Sequence, residues 1–128
     1  MPMIDLGRIG IWTGALDGVA TGAAVEAVQA AAKRAGEEMW PLPLPPKYRK
    51  HLDSSIADMK NIGNPGQAGS SVAGLFLQEF VDGRPWVHLD IAGPSFTSGD
   101  EGINTKGGTG VAVRTLIELI ESFEPPAK

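Results

Sequence analysis

The chain has 128 residues, of which 42% are hydrophobic and 20% are charged, with 17 glycines and 10 prolines. This balance suits one globular domain and argues against a disordered, collagen-like or membrane-spanning chain. A net charge of −4 gives no general attraction to nucleic acid or to an anionic membrane, and the absence of cysteine excludes disulfides and thiolate metal sites. We therefore expect no nucleic-acid partner, no membrane partner, no secretory signal and a cytoplasmic location.

The first elements are a short apolar patch and a helix. The patch from Ile9 to Trp12 fits either a strand or a packed loop. Apolar residues at helical spacing, beginning with Val25, predict a helix from Gly22 to Ala35. Gly36 stands where the C-cap of that helix is expected.

Four prolines dominate the next segment, which reads Trp-Pro-Leu-Pro-Leu-Pro-Pro from Trp40 to Pro46. Because proline removes a backbone donor and fixes φ, we expect an extended connector against apolar surface, not an interior strand or a helix. Pro46 then begins a short helix to Leu52, with Tyr48 and Leu52 on its inner side. The segment from Ser54 to Ile62 fits a strand or a loop.

A second helix precedes the clearest strand pattern. Ser70 or Ser71 is the expected N-cap of a helix that runs to Phe80. Its apolar stripe consists of Val72, Leu75, Phe76 and Phe80. After a turn, Trp86 to Ala92 alternates with period two and predicts a strand. Since its polar side also carries tryptophan and alanine, we expect helices to cover both faces.

The last part of the chain is expected to be a loop and a helix. The loop spans Gly93 to Gly108, and the helix runs from Thr109 to Phe123. The helix positions expected to face inward are Leu116, Ile120 and Phe123. Helices that flank a buried strand indicate an α/β architecture in one domain, and we find no internal repeat.

Two polar residues of the predicted strand, His88 and Asp90, share one face. They could bind a metal or act as an acid–base pair. Two groups are too few for a metal site, and the chain has one other histidine, His51. We favour the alternative of a strand-end aspartate and a buried histidine, each satisfied by backbone groups. A serine hydrolase is not indicated, because no Gly-x-Ser-x-Gly motif occurs.

Two further motifs have both a functional and a structural interpretation. Lys106 to Gly110 could form an anion cradle at a helix N-terminus, although the lysine precedes the glycines and the motif is not a phosphate-binding P-loop. We favour the structural interpretation, in which the glycines let a loop pass close to a sheet and start the helix. The basic run from Lys47 to His51 fits a solvated helix face better than a nucleic-acid site. The residues alone show no complete catalytic constellation.

Several segments, taken in chain order, carry a resemblance to a known family. The most specific is Trp86 to Pro94, which reads Trp-Val-His-Leu-Asp-Ile-Ala-Gly-Pro. Together the segments resemble the C-terminal part of the catalytic domain in the leucyl aminopeptidase (cytosol aminopeptidase) family, best between residues 24 and 123. The other matching segments are Trp40–Leu44, Ile56–Asp58 with Asn61, Ala68–Gly69, and Lys106–Leu116, which contains a Lys-Gly-x-Thr-Gly motif.

The resemblance implies a partial three-layer α/β sandwich, in which helices flank a mostly buried mixed sheet. Residues 1–128 would then be a single partial domain. Family members are dinuclear metallo-exopeptidases that release N-terminal amino acids from peptides. Two divalent ions, Mn or Zn, activate a bridging water. Similar enzymes are hexamers, so the resemblance implies a peptide substrate and a homo-oligomer.

The resemblance also limits what this chain contributes. The family's metal motifs, Asp-Ser-Gly-Gly and Asn-Thr-Asp-Ala-Glu-Gly-Arg, do not occur in the sequence. We therefore expect no catalytic residue, no metal ligand and no cofactor bound by this chain alone, and no activity in isolation. His88 and Asp90 are not metal ligands in the family. An alternative is a non-enzymatic binding or interaction module, and another is that a separate polypeptide supplies the metal-binding half.

Two positions are expected to line the substrate pocket by this resemblance. Ala92 matches an alanine that lines the pocket for the first side chain of the substrate, where a small residue leaves room for leucine. Ser95 takes the place of a pocket residue that is methionine in some members. Compared with methionine, serine would make that side of the pocket wider or more polar.

Overall fold

The computed structural model describes residues 9–12 and 20–124, with side chains described from residue 23 onward. The elements in chain order are β1 (Ile9–Trp12), α1 (Ala20–Ala35), β2 (Met39–Leu42), a 3₁₀ helix (Pro46–Leu52), α2 (Gly69–Gln78), β3 (His88–Asp90), β4 (Phe96–Thr97), β5 (Gly107–Gly108) and α3 (Val113–Glu121). β1 lies between β2 and β3 in a three-stranded sheet, and β4 pairs with β5. This mixture of helices and small sheets confirms the predicted α/β class.

The described residues fall into two compact units. The first unit holds residues 9–10, 26–40 and 90–124, and the second holds residues 11–12, 20–25 and 41–89. Within these described ranges, no helix has both the length and the apolar composition needed to cross a bilayer.

Helix α1 ends at Ala35, as its apolar spacing predicts, and begins two residues earlier than expected. Gly36 has a φ of +71°, which favours glycine because it carries no Cβ. The Gly36 N–H donates to Lys33 O at 3.4 Å, and the Glu37 N–H donates to Ala32 O at 2.9 Å. These two bonds form a Schellman motif, so the predicted C-cap is confirmed.

The residue after this cap, Glu37, holds the start of α3. One carboxylate oxygen accepts the Ala112 N–H at 3.0 Å, and the other accepts the Thr115 N–H at 3.0 Å and the Thr115 hydroxyl at 2.5 Å. The side chain of Glu37 is only 5% exposed, and the Arg114 guanidinium lies 3.7 Å from it. Because the first N–H groups of a helix lack partners within that helix, Glu37 acts as a remote N-cap.

Helix α3 differs from its sequence prediction in start and orientation. It begins at Val113, four residues later than expected, and Thr115 is its fully buried residue. The positions predicted to face inward are exposed, at 44% for Leu116, 73% for Ile120 and 65% for Phe123. That orientation was wrong because the bonds to Glu37 turn the Thr115 face inward. The amphipathic pattern alone could not indicate this choice.

The core of the second unit is a small apolar cluster. Leu52, Val72 and Leu75 are buried together. Partly buried residues packed against them are Leu44, Tyr48, Met59 and Phe76. The 3₁₀ helix has the predicted bounds, and Leu52 and Tyr48 lie on its inner side as predicted. The segment from residue 54 to residue 62 contains no strand.

Helix α2 confirms the predicted stripe but not the predicted cap. Its N-cap is Ala68, in the left-handed region with a φ of 46°, and no side chain caps it. The Ser71 hydroxyl instead donates to Pro43 O at 3.1 Å, within the same unit. Phe80 lies beyond the helix end and is exposed, so the predicted stripe is confirmed only at Val72, Leu75 and Phe76.

The strands are shorter and differently placed than expected. β2 contains the first three residues of the proline-rich segment and lies at one end of the described strand order. Pro41 can sit there because edge strands tolerate a missing donor. Trp40 is 56% exposed, whereas Leu44 packs on the second unit's cluster as expected. β3 keeps only three of the seven predicted residues, which are half-buried. The predicted loop contains the β4–β5 pair.

The remote cap predicts a specific loss of stability. Replacing Glu37 with Gln turns one acceptor oxygen into an amide N–H₂, so at least one of its three buried donors loses its acceptor. We expect the free energy of unfolding to fall by about 2 kcal/mol. Urea unfolding followed by circular dichroism measures this, and Glu121→Gln on α3 is the matched control because Glu121 is exposed. Equal effects of the two substitutions would contradict the capping role.

The apolar cluster predicts a second loss of stability. Leu52→Ala removes a fully buried side chain and leaves a cavity beside Val72, so we expect a loss of about 3 kcal/mol in the same measurement. Leu77→Ala is the control, because that leucine is exposed, and it should cost less than about 1 kcal/mol. A Leu52→Ala effect no larger than that of the control would show that the cluster is not the core of this unit.

Candidate substrate-pocket turn

β3 ends in a turn that carries both pocket residues predicted from the sequence. The Ala92 N–H donates to the Asp90 carboxylate at 2.9 Å, and the Ser95 N–H donates to Ile91 O at 3.0 Å. These bonds bend the chain directly after Asp90, which is why the predicted strand stops two residues early. We call residues 90–95 the pocket turn. It leaves Ala92 exposed and Ser95 half-buried.

The pocket turn is tied to a distant part of the chain by Thr109. The Thr109 N–H donates to Ser95 O at 3.0 Å, and its hydroxyl donates to Pro94 O at 2.5 Å. The same hydroxyl oxygen accepts the Val111 N–H at 3.3 Å. A single residue therefore binds two consecutive carbonyls of the turn.

The strands β4 and β5 extend the contact between Thr109 and the pocket turn to the neighbouring residues. β4 and β5 pair antiparallel, with Phe96 opposite Gly108 and Thr97 opposite Gly107. Between the strands, the Lys106 N–H donates to the Asp100 carboxylate at 3.0 Å. The segment that follows the pocket turn and the segment that precedes Thr109 are thus held side by side.

The Lys106–Gly110 motif does not form an open anion cradle. Gly107 and Gly108 lie in β5, and Gly110 has a φ of +66°, which favours glycine. The N–H groups of Ala112 and Thr115, which an anion at the helix start would use, already donate to Glu37. The anion at this helix end is a carboxylate of the chain itself. A Cβ added at Gly107, Gly108 or Gly110 would meet no other atom within 4 Å, and the helix starts only at Val113, so the predicted close approach of these glycines and the predicted helix start were wrong.

The His88 and Asp90 pair does not gain the further groups that a metal site needs. The Asp90 carboxylate accepts the Ala92 N–H, as the strand-end interpretation predicts. The His88 ring lies 6.3 Å from the Trp86 ring, centroid to centroid, and is half-buried. Within residues 9–12 and 20–124, no group of three or more histidine or carboxylate side chains could hold a metal ion. The described donor set does not fit a dinuclear centre.

The basic run from Lys47 to His51 makes contacts within its own unit. Arg49 pairs with Glu79 and, at 3.2 Å, with Asp53. The Asn64 amide nitrogen lies 3.3 Å from His51 Nδ1. These contacts agree with a solvated helix face and provide no argument for a nucleic-acid site.

Two residues that organise the turn were not identified from the sequence. Glu37 was one of several acidic residues near a predicted helix end, and its partners lie 75 and 78 residues away. The sequence places Thr109 in a glycine-rich motif and at the predicted start of the last helix, with no role in a turn. Its position between glycines, directly before a predicted helix, was the available signal, but the carbonyls that it binds could not be inferred from spacing.

Comparison with known proteins identifies the family of this chain. Residues 12–117 of this chain match the catalytic domain of the cytosol aminopeptidase family. A protein named "Probable cytosol aminopeptidase" from Alkaliphilus oremlandii is 53% identical over 100 residues, which are 78% of this chain and 20% of that protein. The chain thus spans about a fifth of the length of this relative.

Solved structures agree with this match. The bottromycin maturation enzyme BotP, solved in complex with Mn, has a TM-score of 0.78 and 38% identity, over 91% of this chain and 25% of BotP. A mutant of tomato leucine aminopeptidase has a TM-score of 0.75 and 36% identity, over 89% of this chain and 20% of that enzyme. Because the family's catalytic domain matches most of this chain, the chain belongs to the cytosol aminopeptidase family.

Proposed function

We propose that this chain supplies one wall of the substrate pocket in a metal-dependent aminopeptidase that releases N-terminal residues, leucine among them, from peptides. The observation that carries the proposal is the pocket turn, which Asp90 and Thr109 hold by hydrogen bonds while Ala92 stays exposed. The small Ala92 leaves space for a substrate side chain, and Ser95 borders the same space. The names of the relatives support the reaction class.

The metal ions of such an enzyme are proposed to bind outside the described residues. Those residues contain no fitting ligand group, and BotP was solved with Mn. A divalent ion, Mn or Zn, would polarise the scissile carbonyl and activate water when bound. In this proposal residues 1–128 are part of a single catalytic domain, and they do not catalyse the reaction alone.

Exposed apolar side chains support a larger assembly. Val113 and Ile120 on α3 and Phe123 just after it are exposed, and in the second unit Ile56 and Ile62 are exposed. Apolar surface of this kind is typical of interaction sites. We propose that further polypeptide covers it, either the rest of an aminopeptidase chain or a separate chain, together with neighbouring subunits of a hexamer. The relatives' names support a cytoplasmic location for this assembly.

The first test compares the isolated chain with a chimera. In the chimera, the matching 100-residue segment of the Alkaliphilus oremlandii relative is replaced by that of this chain, a substitution that 53% identity makes feasible. We expect the chimera to hydrolyse leucine p-nitroanilide with added Mn²⁺, and the isolated 128-residue chain to show no turnover. Steady-state assays at matched protein concentration measure both.

The unmodified relative is the positive control for this experiment. Turnover by the isolated chain would contradict the proposed dependence on further polypeptide. A folded but inactive chimera would contradict the proposed pocket role. Calorimetric binding of leucine to the isolated chain without metal, together with an inactive chimera, would favour a non-enzymatic binding module.

Ser95 gives a second prediction, on side-chain preference. In the chimera, Ser95→Met would narrow the pocket, so kcat/KM for a phenylalanine substrate should fall about tenfold relative to that for an alanine substrate. Ser98→Met is the matched control, because Ser98 is exposed beyond β4. The ratio of kcat/KM values for the two p-nitroanilides is the measurement. An unchanged ratio in Ser95→Met would place Ser95 outside the pocket.

A further inference from the structure

We infer that Thr109 is a positioning residue, which holds the pocket turn in the conformation that receives the substrate side chain. The inference rests on the proposed function, because the turn can affect specificity only if it lines a substrate pocket. It also assigns a role to the Lys-Gly-x-Thr-Gly motif, whose glycines the structure already explains by backbone conformation.

The bonds of Thr109 are directed at the backbone next to Ser95. Its hydroxyl donates to Pro94 O and its N–H donates to Ser95 O, so the two peptide units on either side of the Ser95 Cα are both bonded to Thr109. Ser95 itself is bonded on its N–H side to Ile91 O at 3.0 Å. The direction of the Ser95 side chain therefore depends on a backbone that Thr109 holds.

The hydroxyl group gives Thr109 a function that an apolar side chain of the same shape lacks. Its oxygen donates to Pro94 O and at the same time accepts the Val111 N–H. Valine has the same branched shape but can make neither bond. Serine keeps the hydroxyl and loses only a methyl group. The pair of substitutions therefore separates hydrogen bonding from packing.

Thr109 can position the turn because its own surroundings are fixed. Three residues later, the Ala112 N–H is bonded to the buried carboxylate of Glu37. One residue earlier, Gly108 pairs with Phe96 in the β4–β5 ladder. The residue that binds the turn is thus anchored on both sides within one unit, so losing its hydroxyl should displace the turn rather than the anchor.

The first test uses the active chimera. We expect Thr109→Val to raise KM for leucine p-nitroanilide about three- to tenfold, the range that follows from losing one or two ordinary hydrogen bonds, with a smaller change in kcat. The ratio of kcat/KM for leucine over alanine substrates should also fall. Thr109→Ser should retain at least about half of the original kcat/KM. An equal loss of kcat/KM for the leucine and alanine substrates would overturn the inference. An equal loss of kcat/KM in Thr109→Val and Thr109→Ser would also overturn it.

The second test uses the full 128-residue chain and needs no activity. Amide hydrogen exchange in Thr109→Val should become faster at Val111, Ala92 and Ser95, and should stay unchanged at Val72 and Leu75 in the other unit. A merely structural role would raise exchange throughout the first unit, including Thr115. That result, or no change in the turn, would overturn the positioning role.

The two tests distinguish the inference from the proposed function. If the unsubstituted chimera is folded and inactive, the proposed function fails, and exchange in the 128-residue chain still decides whether Thr109 positions the turn. If the chimera is active and Thr109→Val leaves KM and the substrate ratio unchanged, the inference fails while the proposed function stands.

Discussion

Much of the structure of the first unit depends on the hydrogen bonds that the Glu37 carboxylate accepts from Ala112 and Thr115. It satisfies two N–H groups and one hydroxyl at the start of α3, across 75 and 78 residues of sequence. A buried carboxylate is costly unless it is hydrogen-bonded, and here each oxygen has a donor. The same bonds hold Ala112 at a φ of +71°, a conformation that residues with a Cβ rarely adopt. The start of the last helix is therefore fixed from outside that helix.

Two consequences follow for the surface and for the site. Because Glu37 binds Thr115, the opposite apolar side of α3 faces outward, where Ile120 and Phe123 are exposed. Because the helix begins only at Val113, Thr109 lies outside the helix and can contact the pocket turn. Thr109 makes that contact through Pro94 and Ser95. One capping interaction thus accounts both for the exposed apolar face and for the support of the turn.

The site residues were partly accessible from sequence. Alternation from Trp86 onward located β3, and the resemblance to the cytosol aminopeptidase family predicts that Ala92 and Ser95 line the pocket, a role that stays a prediction. The turn between them could not be predicted, because the Asp90 carboxylate competes with the strand for the Ala92 N–H and ends the ladder early. The contact between the Lys106–Gly110 motif and the pocket turn could not be predicted either, because Thr109 binds carbonyls 14 and 15 residues away.

The sequence by itself determined the local features: the bounds of the 3₁₀ helix, the Gly36 cap, the apolar stripe of α2 and the membership of the family. Each depends on residues a few positions apart, where periodicity and proline or glycine chemistry are decisive. Only the tertiary structure decided which face of α3 is buried, where α3 begins and what holds the pocket turn. Those outcomes depend on hydrogen bonds from Glu37 and Thr109 to partners 14 or more residues away, and local sequence patterns carry no record of such distant partners.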